Sequence, residues 1–300
     1  MLMNRLTTEE LYNWCSIRTG ELLARKDLKA RIELGEDKDA IMKKIGNMMA
    51  DEVKEHNEKG EKTVWVLPAG PTQEYDTLVE RVNRERISLK NLWVFHMDEF
   101  LDWQCRPYRV ADTYESLEGT MNACLYDRVD PDLTVPKEQR IWPRINDMDY
   151  PDRLCEELGG VDTVWAGIGA TGLVAFNEAP RQYWMHLTVD EYAHGRTHIV
   201  DISDDSMVAM AQRSFGTCLD RVPPKGITIG FGIMITAKRC VYMVATTPAG
   251  WKQTVCRILL FSEPTLEYPV TIFPEYVPEI ILCTCPEVLD HPLAHATKGW

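Results

Sequence analysis

Two rhythms of apolar and polar residues run through the chain, one with the 3.6-residue helical period and one of short apolar runs that suit strands. Ile41, Ile45, Met48, Met49 and Val53 make an apolar stripe, which predicts a helix over residues 38–57 lying on one face of a sheet. TVWVL at 63–67 predicts the first core strand. It leads into the loop PAGPT at 68–72 and a helix starting near Gln73, with Thr72 as its cap and free N–H groups in its first turn. LWVF at 92–95 is the next predicted strand, and it delivers His96, Met97, Asp98, Glu99 and Phe100. VDTVWA at 161–166 is too short for a helix and stops at Gly167, so it reads as a buried strand running into a turn. HIVDI at 198–202, RCVYMVA at 239–245 and EIILC at 279–283 supply further strands. Strands alternating with helical stretches predict an α/β fold: three layers, with a mostly parallel sheet between helices on both faces.

The first 38 residues are charged and mixed, with Thr7 or Thr8 as a helix cap, and predict an N-terminal helical extension. This arm packs on the domain or serves as a contact in a homo-oligomer. No repeat, low-complexity tract or linker interrupts the rest, so residues 39–300 are expected to form a single domain, ending in a loose terminus, DHPLAHATKGW.

Charge narrows the partners. A formal net charge of −13 argues against nucleic acid or an anionic membrane. An anionic small molecule then needs a local basic pocket. No apolar run reaches the ~18 residues of a membrane span, and the opening MLMNRLTTEELYNW is not a signal peptide, so a cytoplasmic protein is expected. Nine cysteines, an odd number without a CxxC pair, suggest neither a disulfide framework nor a zinc ribbon. Cys283 and Cys285 are expected on the same face of a strand, as small buried hydrophobes rather than a soft-metal pair.

The stretch 161–180, VDTVWAGIGATGLVAFNEAP, holds the densest candidate chemistry. Gly167, Gly169 and Gly172 have the spacing of a dinucleotide-binding loop, and Asp190 falls near the place of its ribose-binding acid. That loop needs a helix opening on its last glycine, and Asn177, Glu178 and Pro180 break such a helix. A plain glycine turn between strand and helix is the simpler alternative. Strand, glycine turn and a following carboxylate also make a site at the carboxyl edge of an α/β sheet.

GIGATGLVAFNEAP resembles the active-site loop of the glucosamine-6-phosphate deaminase family, approximately G-[VI]-G-x-D-G-H-[IV]-A-F-N-E-P. The related 6-phosphogluconolactonases share only its first half. The family's aspartate falls on Thr171 and its ring-opening histidine on Leu173, so Glu178 is the ionisable group retained in this loop. The resemblance extends to HMDEF at 96–100, similar to [FY]-x-M-D-E-[YF], where Asp98 takes the place of the aspartate that moves a proton at C2 of the amino sugar. From the residues alone, Asp98 and Glu99 equally suit the cap of a following helix. His96 stands where the family has a neutral residue, as a replacement proton shuttle or a hydrogen-bonded core histidine. Tyr114 falls where the family has an aromatic.

Around the phosphate the likeness weakens. The family's L-P-T-G-G-T-P loop is matched at Leu67, Pro68, Gly70 and Thr72, but Pro71 replaces a glycine and Glu74 adds a carboxylate. Arg213 lies near the phosphate-gripping arginine with one extra residue between. The phosphate lysine falls on Ala249, with Lys252 one helical turn on. PPKGITIGFG at 223–232 matches the V-P-x-x-A-[LI]-T-x-G-[VI]-G segment, and residues 181–205, with His186, His194 and His198, replace a lid or effector segment.

The resemblance implies the sugar-phosphate isomerase and deaminase fold over residues 40–285 and an enzyme without cofactor or catalytic metal, since the expected site is carboxylates and glycines. Asp98, Glu178, Glu99 and His96 are the catalytic candidates. Gly70, Thr72, Gly167, Gly169, Thr171, Gly172, Asn177 and Arg213 are the binding candidates for a sugar or sugar phosphate. Asp98 and Glu178 are expected in one pocket, at the ends of neighbouring parallel strands. With Thr171, Leu173 and Ala249 lacking ionisable groups, glucosamine 6-phosphate is expected to be a poor substrate. A sugar-binding regulator that keeps the fold without the chemistry is the alternative.

Overall fold

The computed structural model describes residues 5–180, 187–245 and 250–296. Ten strands follow in chain order: β1 (Arg31–Leu34), β2 (Thr63–Leu67), β3 (Leu92–His96), β4 (Asp98–Leu101), β5 (Arg140–Ile141), β6 (Thr163–Ala166), β7 (His198–Asp201), β8 (Lys225–Thr228), β9 (Arg239–Val244) and β10 (Glu279–Thr284). Seven of them form one parallel sheet in the order β1-β10-β9-β6-β2-β3-β5. The others make a small antiparallel sheet, β4-β8-β7.

Continuous burial of β2, β6 and most of β9 and β10 follows from their near-unbroken apolar sequence, which only a sheet covered on both faces can accommodate. Alternate side chains supply the two cores. Val64, Val66, Val164 and Ala166 enter one apolar cluster. Trp65, Leu67 and Trp165 enter the other, where the two indoles meet edge to face at 5.8 Å. The Lys38–Lys59 helix lays Ile41, Ile45, Met49 and Val53 on that second face. Asp37 caps it by accepting from the Ala40 N–H, and Gly60 ends it at φ 69°, a left-handed turn that suits glycine.

Chain order fixes where a ligand can enter. From β2 the sheet grows outward through β3 and β5, then returns to β6 on the other flank of β2 and continues through β9 to β10. The loops after β2 and β6 therefore part at a topological switch point, the place where open α/β sheets bind ligands.

Several expectations need correction. The N-terminal arm carries two helices, Thr8–Cys15 and Thr19–Ala24, the first boxed by Thr7 and Glu10. Residues 31–34 then extend as β1 and pair with β10. Thr72 is not a side-chain cap, because the helix is Glu74–Glu85 and Gln73 already turns in the right-handed region before it. Asp98 and Glu99 do not open a helix but lie on β4. Strands β3 and β6 are not neighbours, since β2 lies between them. Cys283 and Cys285 are both fully buried but enter opposite clusters, because the strand ends at Thr284 and Cys285 begins the next helical turn. Near the C-terminal end, Gln253 Nε2 donates to the carbonyls of Glu287 and Asp290, and residues Pro292–His295 form a 3₁₀ turn rather than a loose tail.

Candidate active site

The small sheet links the strand that carries Asp98 to the turn that precedes Glu178. Strand β4 continues from β3 at the carboxyl edge, and in its antiparallel register Asp98 faces Thr228 of β8. The Thr228 hydroxyl lies 3.3 Å from the Met97 carbonyl and 3.2 Å from that of Ile229. It also accepts from the Phe176 N–H at 3.3 Å and from Asn177 Nδ2 at 3.5 Å. One threonine therefore joins the strand that carries Asp98 to the turn that precedes Glu178. Asn177 completes this turn by donating to the carbonyls of Val174 and Ile229, which consumes its amide in structure. Ala175 there adopts φ 56°. Phe176 packs on Phe100 at 5.3 Å and lies so close to Gly226 that a side chain there would overlap its ring.

Asp98 is 8% exposed, and among the described residues nothing donates a hydrogen bond to its carboxyl. Burial, reinforced by the charge of Glu99, pushes its pKa up to about 8. Glu99 has a different job. Its carboxylate accepts from the backbone N–H groups of Phe100, Leu117 and Glu118 and from the Ser116 hydroxyl. It thus caps the Leu117–Met121 helix from a distant strand and has no free face for a substrate. Burial raises its pKa despite those bonds.

Glu178 is half-buried, and its carboxylate turns toward Ser206, whose hydroxyl donates to Oε1 at 2.6 Å. His96 is a core residue. Its ring is 1% exposed, stacks on Trp142 at 3.7 Å and pairs with the Tyr126 hydroxyl. Burial, with Arg140 and Arg144 nearby, holds it well below the usual histidine range. His194 and His198 are exposed, each bound to a nearby carbonyl. His186 and Ala249 lie outside the described residues.

The glycine loops meet at the switch point, with Gly167 in contact distance of Gly70 and Pro71. The Tyr75 hydroxyl pins the first loop by donating to the Pro68 carbonyl at 2.6 Å. In the second, the N–H groups of Gly169 and Gly172 are spent inside the loop, on Leu173 and Gly169 carbonyls. Those of Ala170 and Thr171 have no partner among the described residues. Gly172, at φ 70°, sits against Tyr268. Leu173 folds back over Gly169, where any side chain would collide with it. The Thr171 hydroxyl is buried with no hydrogen-bond partner among the described residues.

Two cations stand at the same edge. Arg213 is in the last turn of the Asp204–Ser214 helix, and Lys252 in the first turn of the Trp251–Phe261 helix after β9. Neither has a carboxylate partner among the described residues. Lys252 donates to the Ala245 carbonyl, and burial together with the charge of Arg213 lowers its pKa. Arg213 keeps an exposed side chain, although protein around its base pulls its pKa down. The exposed surface is what leaves it available to a ligand.

A cleft of about 410 Å³ opens outside the β2 loop between Gln73, Thr113, Thr120 and Arg128. Thr72 lines it, whereas Asp98, Glu178 and Arg213 do not. Tyr114 stands beside it, 77% exposed. Among the described residues no three His, Cys, Asp or Glu side chains are placed to hold a metal ion, and no helix is long and apolar enough to cross a membrane.

Sequence reasoning missed Thr228 and Ser206. The threonine of PPKGITIGFG was a visible signal for the first, whereas nothing local marks the second.

No known protein-family profile matches the chain. The glucosamine-6-phosphate deaminase of Bacillus velezensis is 26% identical over 213 residues, covering 68% of this chain and 78% of that relative. The Porphyromonas gingivalis deaminase is 28% identical over 221 residues, covering 67% and 73%. A solved structure of a monomeric glucosamine-6-phosphate deaminase superposes with a TM-score of 0.69 over 86% of this chain and 98% of its own, at 20% identity. The 6-phosphogluconolactonase of Thermotoga maritima gives 0.59 over 85% and 99%, at 16% identity. The chain is thus similar, at low identity, to the glucosamine-6-phosphate deaminases, as a divergent member would be, and is built on the α/β fold that they and the 6-phosphogluconolactonases share.

Proposed function

We propose that the protein isomerises or deaminates a sugar phosphate, with Asp98 as the base at C2. The observation that carries this reading is Asp98 itself: a buried carboxyl without a hydrogen-bond donor among the described residues, raised to about 8, just past the carboxyl end of β3, one strand from the switch point. A base whose pKa lies near the working pH is suited to removing a proton next to a carbonyl. Asp98 takes the C2 proton of an open-chain aldose and returns it to C1, while a proton of the C2 hydroxyl or amino group passes to O1, which at a hydroxyl leaves the ketose. At an amino sugar the same transfer leaves a ketimine, and its hydrolysis releases ammonia. Glu178 belongs to the proton relay, and Arg213 and Lys252 face the phosphate. Leu173 cannot assist ring opening, which favours a substrate that reaches the site already open.

A regulator that binds such a sugar without turnover is the second reading. Leu173 packed over Gly169 and the apolar setting of the Thr171 hydroxyl favour it. Calorimetric binding of a panel of aldose, ketose and hexosamine 6-phosphates, followed by turnover assays on each binder, separates the two. Turnover abolished by Asp98→Asn supports the enzyme. Tight binding without turnover supports the regulator, and failure of every sugar phosphate to bind defeats both.

A further inference from the structure

Resemblance assigns Glu178 to a proton relay, yet the aspartate and histidine that would accompany it are replaced by Thr171 and Leu173. Something else must hold its carboxylate. Ser206 Oγ donates to Glu178 Oε1 at 2.6 Å, and the Ser203 N–H approaches the same oxygen at 3.4 Å. Ser206 is 8% exposed, so little water competes for this bond. Ser203 caps the Asp204–Ser214 helix and accepts from the Ser206 N–H, which fixes the two serines relative to each other. The backbone of Glu178 is held as well, since the Tyr192 hydroxyl donates to its carbonyl at 2.7 Å and the Tyr192 ring packs on Phe231.

We propose that Ser206 is the positioning residue of Glu178, doing by a hydroxyl bond the orienting that the missing histidine cannot do. The proposal rests on the reading that Glu178 belongs to the proton relay. Among the described residues only Oε1 is engaged, so the second oxygen is left for the reaction. A serine hydroxyl does not titrate at neutral pH, so Ser206 orients the carboxylate and carries no proton itself. Its helix also carries Arg213 in its last turn, so the same element that aims Glu178 bears the cation assigned above to the phosphate.

The test compares Ser206→Ala and Ser206→Thr in wild-type and Glu178→Gln backgrounds, with the sugar phosphate that the wild type turns over. Ser206→Ala is expected to lower kcat roughly tenfold or more, as for loss of a hydrogen bond to a charged group, with KM within about twofold. Ser206→Thr, which keeps the hydroxyl, restores most of the rate. In the Glu178→Gln background Ser206→Ala costs nothing further, because residues acting as a unit are not additive. An unchanged kcat, or an equal loss in both backgrounds, overturns the proposal. Crystal structures read the pairing without any activity: in Ser206→Ala the Glu178 carboxylate must leave its place. A carboxylate that stays put overturns the proposal even if no substrate is found. A displaced carboxylate supports it, and absence of turnover then counts against the proposed reaction alone.

Discussion

Asp98→Asn is expected to move stability and turnover in opposite directions. The substitution keeps the shape of the side chain and removes its charge. In the folded protein the Asp98 pKa is raised from 3.8 to about 8, so folding binds a proton between those values. Stability contributed by this group is therefore full below about pH 4 and falls as pH rises toward 8. Each pKa unit corresponds to about 1.36 kcal/mol, and pH 7 lies about three units above the unfolded value, so the charge costs at most about 4 kcal/mol there. Asparagine escapes that cost. At the ~2 °C per kcal/mol of larger domains, the variant should melt up to roughly 8 °C higher at pH 7 and no higher at pH 4. Turnover should fall at least ~10²-fold, the low end for a general base, and wild-type kcat should rise with pH toward about 8 as the carboxyl ionises. Thermal melts of both proteins from pH 4 to 8, beside kcat on a substrate from the panel, provide the measurement. A variant that melts lower at pH 7, or whose advantage does not grow with pH, refutes the buried-charge argument. Unchanged turnover refutes the assignment of the base.

Glu74 is wholly buried, neither oxygen has a hydrogen-bond partner among the described residues, and its pKa is pushed up to about 8, so Glu74→Gln should raise the melting temperature at pH 7 without changing kcat. A lower melting temperature would show that its charge is compensated. Arg213→Ala and Lys252→Ala should each raise KM for a phosphorylated ligand about tenfold, in line with a lost charged hydrogen bond, and leave binding of the unphosphorylated sugar unchanged. Equal losses for both ligands would remove the phosphate from their account. Glucosamine 6-phosphate should release ammonia poorly in the wild type, and Thr171→Asp with Leu173→His should increase that release at least tenfold, within the ~10²–10⁴ range of a restored acid–base group. Fast release by the wild type would contradict the prediction.

The parallel sheet was legible because its central strands are buried on both faces and announce themselves as short apolar runs. Residues 63–67 and 92–95 needed little beyond that, and His96 extends the second run by one position. The small sheet was legible only in HIVDI, which foretold β7. Its strands have four residues each, and the pairing of Asp98 with Thr228 spans a separation that no local pattern encodes. The placement of His96 was half visible: its apolar neighbours foretold burial, but the Trp142 stack comes from an element far along the chain. Glu99 shows how a residue type is read correctly and its partner wrongly. It does cap a helix, but that helix begins eighteen residues later, at Leu117. The order of strands in space was the least accessible, since β2 and β6 are in register over just two residue pairs, Trp65–Thr163 and Val66–Val164, about a hundred positions apart.

The pairing of β1 with β10 has a consequence for a chain made from one end. Arg31 lies beside Glu279, 248 positions away, and the whole of β1 finds its sheet partner in residues 281–284. At ~5–20 residues per second, a ribosome needs on the order of 12–50 s to deliver that partner. Through that interval the segment has no ladder to join. Its sequence, Arg-Ile-Glu-Leu, places a charge at every second position, the kind of composition that discourages a bare strand from pairing with a neighbouring nascent chain. Sealing the edge is then a late event, and the arm ahead of β1 takes its final place only once the far end of the protein has been synthesised.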